Sequence, residues 1–164
     1  EPFTENYRKL LINTGNESHY YNVALGSEHK TAYLNVERVN GSQSCSILEP
    51  KHHLTMYPGI IFNDKELVYV ETLDSILDPE VSKEFAKVNF LNMDVQGYEL
   101  EVLKGALKTL PQIDYILTEI NVDEMYDGCV KFKELFEFLT QQGFYIAETD
   151  LQHVSWGDAF LIRG

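Results

Sequence analysis

Sixteen residues, Phe90–Gly105 (FLNMDVQGYELEVLKG), constrain the fold of this chain more than any other stretch. An apolar run of Val88, Phe90, Leu91 and Met93 stops at Asp94, then Val95-Gln96-Gly97 follows, and a helical pattern begins. A short apolar run bounded by a turn signal reads as a buried strand, and apolar residues three and four apart read as a helix. Asp94 therefore stands at the carboxyl end of a buried strand, where open α/β sheets bind their ligands. Two readings of Asp94 are open: a residue of a site in that crevice, or the N-cap of the following helix.

Strands and helices alternate on either side. Thr4–Asn13 reads as a helix capped by Thr4, with Tyr7, Leu10 and Leu11 on one face and Gly15-Asn16 as its stop. Tyr20–Leu25, His29–Val36 and Leu67–Val70 read as strands, with a turn-rich Asn40–Ser46 and an irregular Ile47–Ile61 between them. Leu73–Leu77 is a short helical turn opened by Thr72. In the helix after Gly97, the spacing sends Leu100, Leu103 and Leu107 inward and Glu99, Glu101, Lys104 and Lys108 outward, with Pro111 as the stop. Tyr115–Ile120 is a second buried strand, and Val130–Gln142 is an amphipathic helix on Phe132, Leu135, Phe136 and Leu139, with Gly143 at C′. Phe144–Ala147 and Ala159–Ile162 are the closing strands. This order predicts an α/β domain on a mostly parallel sheet with an antiparallel end.

Composition narrows the partners. The 164 residues are 44% hydrophobic, enough for the core of one domain and too apolar for disorder. Acids outnumber bases 26 to 13, and the net charge of −13 opposes binding to phosphate backbones, so nucleic acid is not the expected partner. Two cysteines, Cys45 and Cys129, make neither a disulfide framework nor a Cys-x-x-Cys metal spacing, which points to a reducing, cytoplasmic compartment. No apolar run reaches the roughly 18 residues of a membrane helix, so no membrane partner is expected. Asn16-Glu17-Ser18 and Asn40-Gly41-Ser42 fit the glycosylation pattern, which chance alone often satisfies.

The Phe90–Gly105 segment resembles the signature of the FkbM-type methyltransferases, in which hydrophobic, Lys, hydrophobic and Asp precede Val-Glu-Gly-x-Glu-x-x-hydrophobic-Leu-x-Gly. Asp94, Val95, Gly97, Glu99, Val102, Leu103 and Gly105 match. Asn92 stands where Lys is usual and Gln96 where Glu is usual, and each departure removes a charge beside the site. Further matches run along the chain in the right order. Glu1–Asn13 resembles the family segment after its second strand, and His19–Gly26 its third strand. Val70–Leu77 resembles a Thr-Leu-Asp segment, and Ile116–Asn121 and Trp156–Ile162 the last core strands.

The resemblance implies a Rossmann-like class I methyltransferase fold that binds S-adenosyl-L-methionine and methylates a hydroxyl of a small molecule or glycan. It also implies that the family's first strand and Gly-rich loop lie outside these residues. Residues 1–164 are then expected to form one methyltransferase-like unit, the C-terminal part of the family domain. A methyltransferase-like module that binds or assembles without catalysis is the alternative, favoured by Asn92, Gln96 and the missing loop. A dinucleotide-dependent oxidoreductase half is disfavoured, because no Gly-x-Gly-x-x-Gly occurs.

The same resemblance assigns roles. Glu1 is the acid that accepts the ribose hydroxyls, and Asn22, Val23 and Ala24 border the adenine. Asp94 orients or deprotonates the acceptor, or holds the cofactor's amino group, with Glu119 as a second catalytic acid. Glu119 and Asn121, two apart on a strand, share a face, so with Asp94 they offer three oxygens to a divalent metal such as Mg²⁺. The FkbM-type pattern requires no metal, and none is assigned. His52 and His53, in the irregular stretch, and His153, before Trp156, are the histidines considered as a base. Adjacent histidines in extended chain point apart, so the pair makes a poor chelate. Met125–Cys129 follows the Glu119 strand as an acceptor-shaping loop.

Overall fold

A computed structural model describes residues 1–14, 19–78, 88–151 and 153–164. The Gly15-Asn16 helix stop and the Asn16 glycosylation triplet lie outside those residues. Helix α1 spans Thr4–Thr14, and β1 (Ala24–Leu25), β2 (Lys30–Glu37) and β3 (Phe62–Glu71) follow, with α2 (His52–Met56) between β2 and β3. After α3 (Leu73–Ile76) come β4 (Phe90–Met93), α4 (Glu99–Lys104), β5 (Tyr115–Asn121), α5 (Phe132–Gln141), β6 (Phe144–Asp150) and β7 (Trp156–Arg163).

The strands form two sheets, ordered β1-β3-β2 and β4-β5-β7-β6. Only β1/β3 and β4/β5 pair in parallel; β2/β3, β5/β7 and β6/β7 are antiparallel. The expectation of a mostly parallel sheet is therefore corrected to a mixed α/β arrangement. The reason is connection length: a parallel pair needs a long crossover, such as the α4 segment between β4 and β5, whereas the short link after Asp150 turns β7 back against β6. Two strand readings also change. β3 begins at Phe62, because the polar Asn63–Glu66 stretch faces solvent while pairing with Leu34–Val36, which hides a strand from a hydrophobic count. β1 shrinks to two residues, all that pairs with Val70 and Glu71.

The main core lies between the second sheet and its helices. Met93, Ile116, Ile120, Ala159 and Leu161 from strands meet Leu103 and Val102 of α4 and Leu135 and Leu139 of α5. Each fully buried Leu or Ile contributes about 1.5–3 kcal/mol over leaving it in water. Leu107, expected inward, is 50% exposed, because α4 ends at Lys104 and the chain leaves the helical period before reaching it. No residue of α1 is buried, so its Tyr7, Leu10 and Leu11 face forms no part of a core. A smaller core of Phe3, Leu34, Val36, Val68 and Val70 backs the first sheet.

Candidate active site

The signature segment is a turn built by its own side chains. After β4, Gln96 (φ 53°) and Gly97 (φ 95°) are consecutive left-handed residues. Gly97 is needed for space as well as for φ, since a Cβ there would lie 2.6 Å from the Cys129 Cβ. The carboxylate of Glu99 folds back onto the turn and accepts from the Val95 N–H at 3.3 Å and the Gly97 N–H at 3.0 Å. Asp94 caps nothing: the residue before α4 is Tyr98, and no side chain caps it. The N-cap reading of Asp94 and the outward reading of Glu99 are both overturned, because the buried Glu99 satisfies the turn. Burial pushes the Glu99 carboxyl up to about 7. At the far end of α4, a Cβ on Gly105 would lie 2.0 Å from the Gly26 carbonyl oxygen, so this glycine lets the end of β1 press against the helix.

With the turn fixed, Asp94 is free to face solvent while Glu119, on β5, is buried beside it. Gln96 bridges the two. Its Nε2 donates to Asp94 Oδ1 at 2.6 Å and to Glu119 Oε2 at 2.9 Å, and its Oε1 accepts from the Tyr126 hydroxyl at 2.8 Å. The Tyr126 hydroxyl also lies 2.9 Å from the Ser44 carbonyl oxygen. Burial, reinforced by the Asp94 charge, pushes the Glu119 carboxyl up to about 9, so it carries a proton at neutral pH. Burial likewise drives the Tyr126 phenol well above its ordinary value.

These groups line one cavity of about 1040 Å³. Its lining includes Glu1, Pro2, Val23 and Ala24, the group Asp94, Val95, Gln96 and Glu119, and His53, Tyr57, Tyr126, His153 and Trp156. The Trp156 indole N–H donates to the Tyr57 hydroxyl at 2.9 Å, and the His153 ring lies 5.1 Å from Trp156, so these residues form an aromatic wall. The polar loop of residues 40–47 closes one side. It is held by Glu37, fully buried on β2, whose Oε2 accepts from the N–H groups of Val39 at 2.8 Å and Asn40 at 2.7 Å.

The structure brings Glu1, Ala24, Asp94 and Glu119 to this cavity and leaves two expected residues out. Asn22 does not line it: its Nδ2 donates to the carbonyl oxygens of Glu1 and Pro2 at 3.1 and 3.0 Å. Asn121 is buried with neither amide atom hydrogen-bonded and is also outside the lining. The three-oxygen set therefore does not assemble. An amide nitrogen bearing two hydrogens stands between the remaining two acids, which does not suit a cation. Among the described residues no group of three His, Cys, Asp or Glu could hold a metal ion. The two adjacent histidines lie on helix α2 rather than in the extended chain expected, and still part: His52 is exposed, while His53 is buried in the wall and burial lowers its pKa. Met125 and Tyr126 of the loop line the cavity. Sequence reasoning took Gln96 only as a missing charge and Tyr126 only as part of a pocket-shaping loop, and it missed Glu37. The one available signal was the match at Glu99, which marks the turn that aims Gln96.

The mixed α/β arrangement places a large cavity, with an acid pair inside it, at the carboxyl ends of β1 and β4, where α/β folds bind their ligands. Comparison with known families narrows the class: the methyltransferase FkbM domain matches residues 1–146, and the chain belongs to that family. It is similar to the 2-O-methyltransferase NoeI of Sinorhizobium fredii (strain NBRC 101917 / NGR234), at 32% identity over 96 residues. That match covers 58% of this chain and 38% of the relative, so the chain spans well under two thirds of that protein. No solved structure matches the chain. Among the described residues no helix is long and apolar enough to cross a membrane.

Proposed function

We propose that this chain belongs to an S-adenosyl-L-methionine-dependent O-methyltransferase of Rossmann-like class I fold, acting on a hydroxyl of a small molecule or glycan. The observation that carries this reading is that Glu1, Ala24, Asp94, Glu119 and the aromatic residues Tyr57 and Trp156 all line one cavity. The residues present fit the cofactor. Glu1 Oε1 accepts from the Phe3 N–H at 2.9 Å, which orients the carboxyl for ribose hydroxyls, and buried Ala24 with Val23 gives a flat apolar edge for adenine. When bound, the cofactor supplies a methyl group on a sulfonium. Asp94, exposed in the cavity, accepts the proton of the attacking hydroxyl, and protonated Glu119 donates a hydrogen bond beside it. Tyr57 and Trp156 pack against the acceptor's faces and fix its angle of approach. The relative is a 2-O-methyltransferase, which supports a hydroxyl as the receiving group.

Titration of S-adenosylhomocysteine into this chain, and into a form carrying any sequence that precedes Glu1 in its parent, tests the reading. Binding by at least one form is expected. With an acceptor in hand, Asp94→Ala abolishes transfer while cofactor affinity stays within about tenfold. Binding by neither form moves the chain to the non-catalytic alternative, and full turnover by the Asp94 variant removes that residue from the chemistry.

A further inference from the structure

Gln96 has no part in the proposed transfer, yet it is the most fully engaged side chain in the cavity. Both hydrogens of its Nε2 are used, on Asp94 and on Glu119, and its Oε1 faces the Tyr126 hydroxyl. Turned end over end, the amide would set its carbonyl oxygen against both acids, so only one orientation suits this neighbourhood. Its backbone is held too: the carbonyl oxygen accepts from the Ser46 hydroxyl at 2.8 Å, and φ is 53°. The side chain thus leaves an anchored, left-handed turn and reaches two acids from different strands.

The geometry points to Gln96 as a positioning residue that holds two unequal acids in place, with Asp94 as the solvent-facing member and Glu119 as the buried one. The physical reason is proximity. Two carboxyls within hydrogen-bond reach of one nitrogen do not both ionise readily, and the buried one keeps the proton because water does not solvate its charge. Glu99 of α4 and Asp158, directly opposite on β7, reinforce this, while the uncharged Tyr126 phenol, against which the His53 ring packs, adds no charge. A neutral amide supplies a donor to each acid without adding a third negative charge, which a glutamate at this position would do. A ligand complements the pair when it offers a hydrogen-bond donor beside an acceptor, and an acceptor hydroxyl next to a second oxygen is such a group. That last step rests on the proposed methyl transfer; the unequal pair itself does not.

The test reads the carboxyls directly. The full chain is labelled with ¹³C at the Asp and Glu carboxyl carbons and titrated by NMR, with signals assigned through Asp94→Asn and Glu119→Gln. Glu119 in the native chain is expected to titrate near 9. Gln96→Leu removes the hydrogen bond donated to Glu119 and shifts its titration upward by about one pH unit, a tenfold change in proton affinity. Gln96→Glu, closer in shape, gives a shift of the same sign and serves where the leucine variant does not fold. Folded variants in which the Glu119 titration is unmoved overturn the proposal, as does a native Glu119 that titrates with the ordinary glutamates. S-adenosylhomocysteine titration of the same samples reports separately on the methyltransferase reading: no binding by the native chain or its extended form sinks that reading and leaves the carboxyl result standing.

Discussion

The two sheets divide the work unequally. The β4-β5-β7-β6 sheet packs against α4 and α5 over a continuous apolar core, and Asp94 and Glu119, proposed to do the chemistry, stand at its β4 and β5 with Gln96 between them. The β1-β3-β2 sheet buries one face on Phe3, Val36 and Val70, while Tyr33, Leu67 and Tyr69 remain in solvent on the other. It supplies walls: Glu1, Ala24 and the loop of residues 40–47. Reactive side chains rest on the better-packed half, where their rotamers are held, and the boundary of the cavity is left to the lighter half.

Truncating one side chain on each half tests that contrast most strongly. Leu103→Ala, at a fully buried position, costs about 2–5 kcal/mol, whereas Tyr69→Ala, at a 67% exposed position, costs under about 0.5 kcal/mol. Urea unfolding measures both, and equal losses would dissolve the contrast. A smaller effect follows at the turn. Gly97→Ala, with φ at 95° and no room for a Cβ, costs about 1–3 kcal/mol by the same assay; a neutral substitution would mean that the turn can relax.

The smallest effect sharpens the contrast electrostatically. Glu119 is raised on folding, from an ordinary 4.5 to about 9, so the native state holds its proton more tightly than the unfolded chain does. Its contribution to stability is complete below pH 4.5 and is lost as pH rises toward 9. Glu119→Gln mimics the protonated acid without the titration, and raises Tm at pH 8 by roughly 2–6 °C, with a smaller difference at pH 5. Calorimetric scans at the two pH values decide it; a variant less stable at pH 8 would show that the carboxyl is ionised in the native cavity.

How much of this was legible beforehand differs by residue. The β4–turn–α4 unit, the β5 and β7 strands and α5 were visible because their apolar period matches their burial. The phasing of Glu99 was misread because a helical wheel assigns acids outward and takes no account of a side chain folding back to cap its own turn. The polar start of β3 was hidden because backbone pairing with β2, rather than burial, makes it a strand. Within the site, Asp94 and Glu119 were legible as strand-end acids. Asn121 was misplaced because sharing a strand face with Glu119 does not put a residue at the same depth. Gln96 registered only as a missing charge, since its two N–H groups matter only once Asp94 and Glu119 are known to flank it.

The anchoring of the 40–47 loop has a further consequence for how such a cavity is retuned. Glu37 grips that loop through main-chain N–H groups alone, at Val39, Asn40 and, at 3.4 Å, Ser44. A grip on the main chain is indifferent to side-chain identity. Gln43, exposed on the cavity wall, can therefore be varied while the loop keeps its path, whereas Gly41 and Ser42, both at φ 66°, and the Ser46 hydroxyl, bonded to the Gln96 carbonyl oxygen, must stay for the wall to keep its shape.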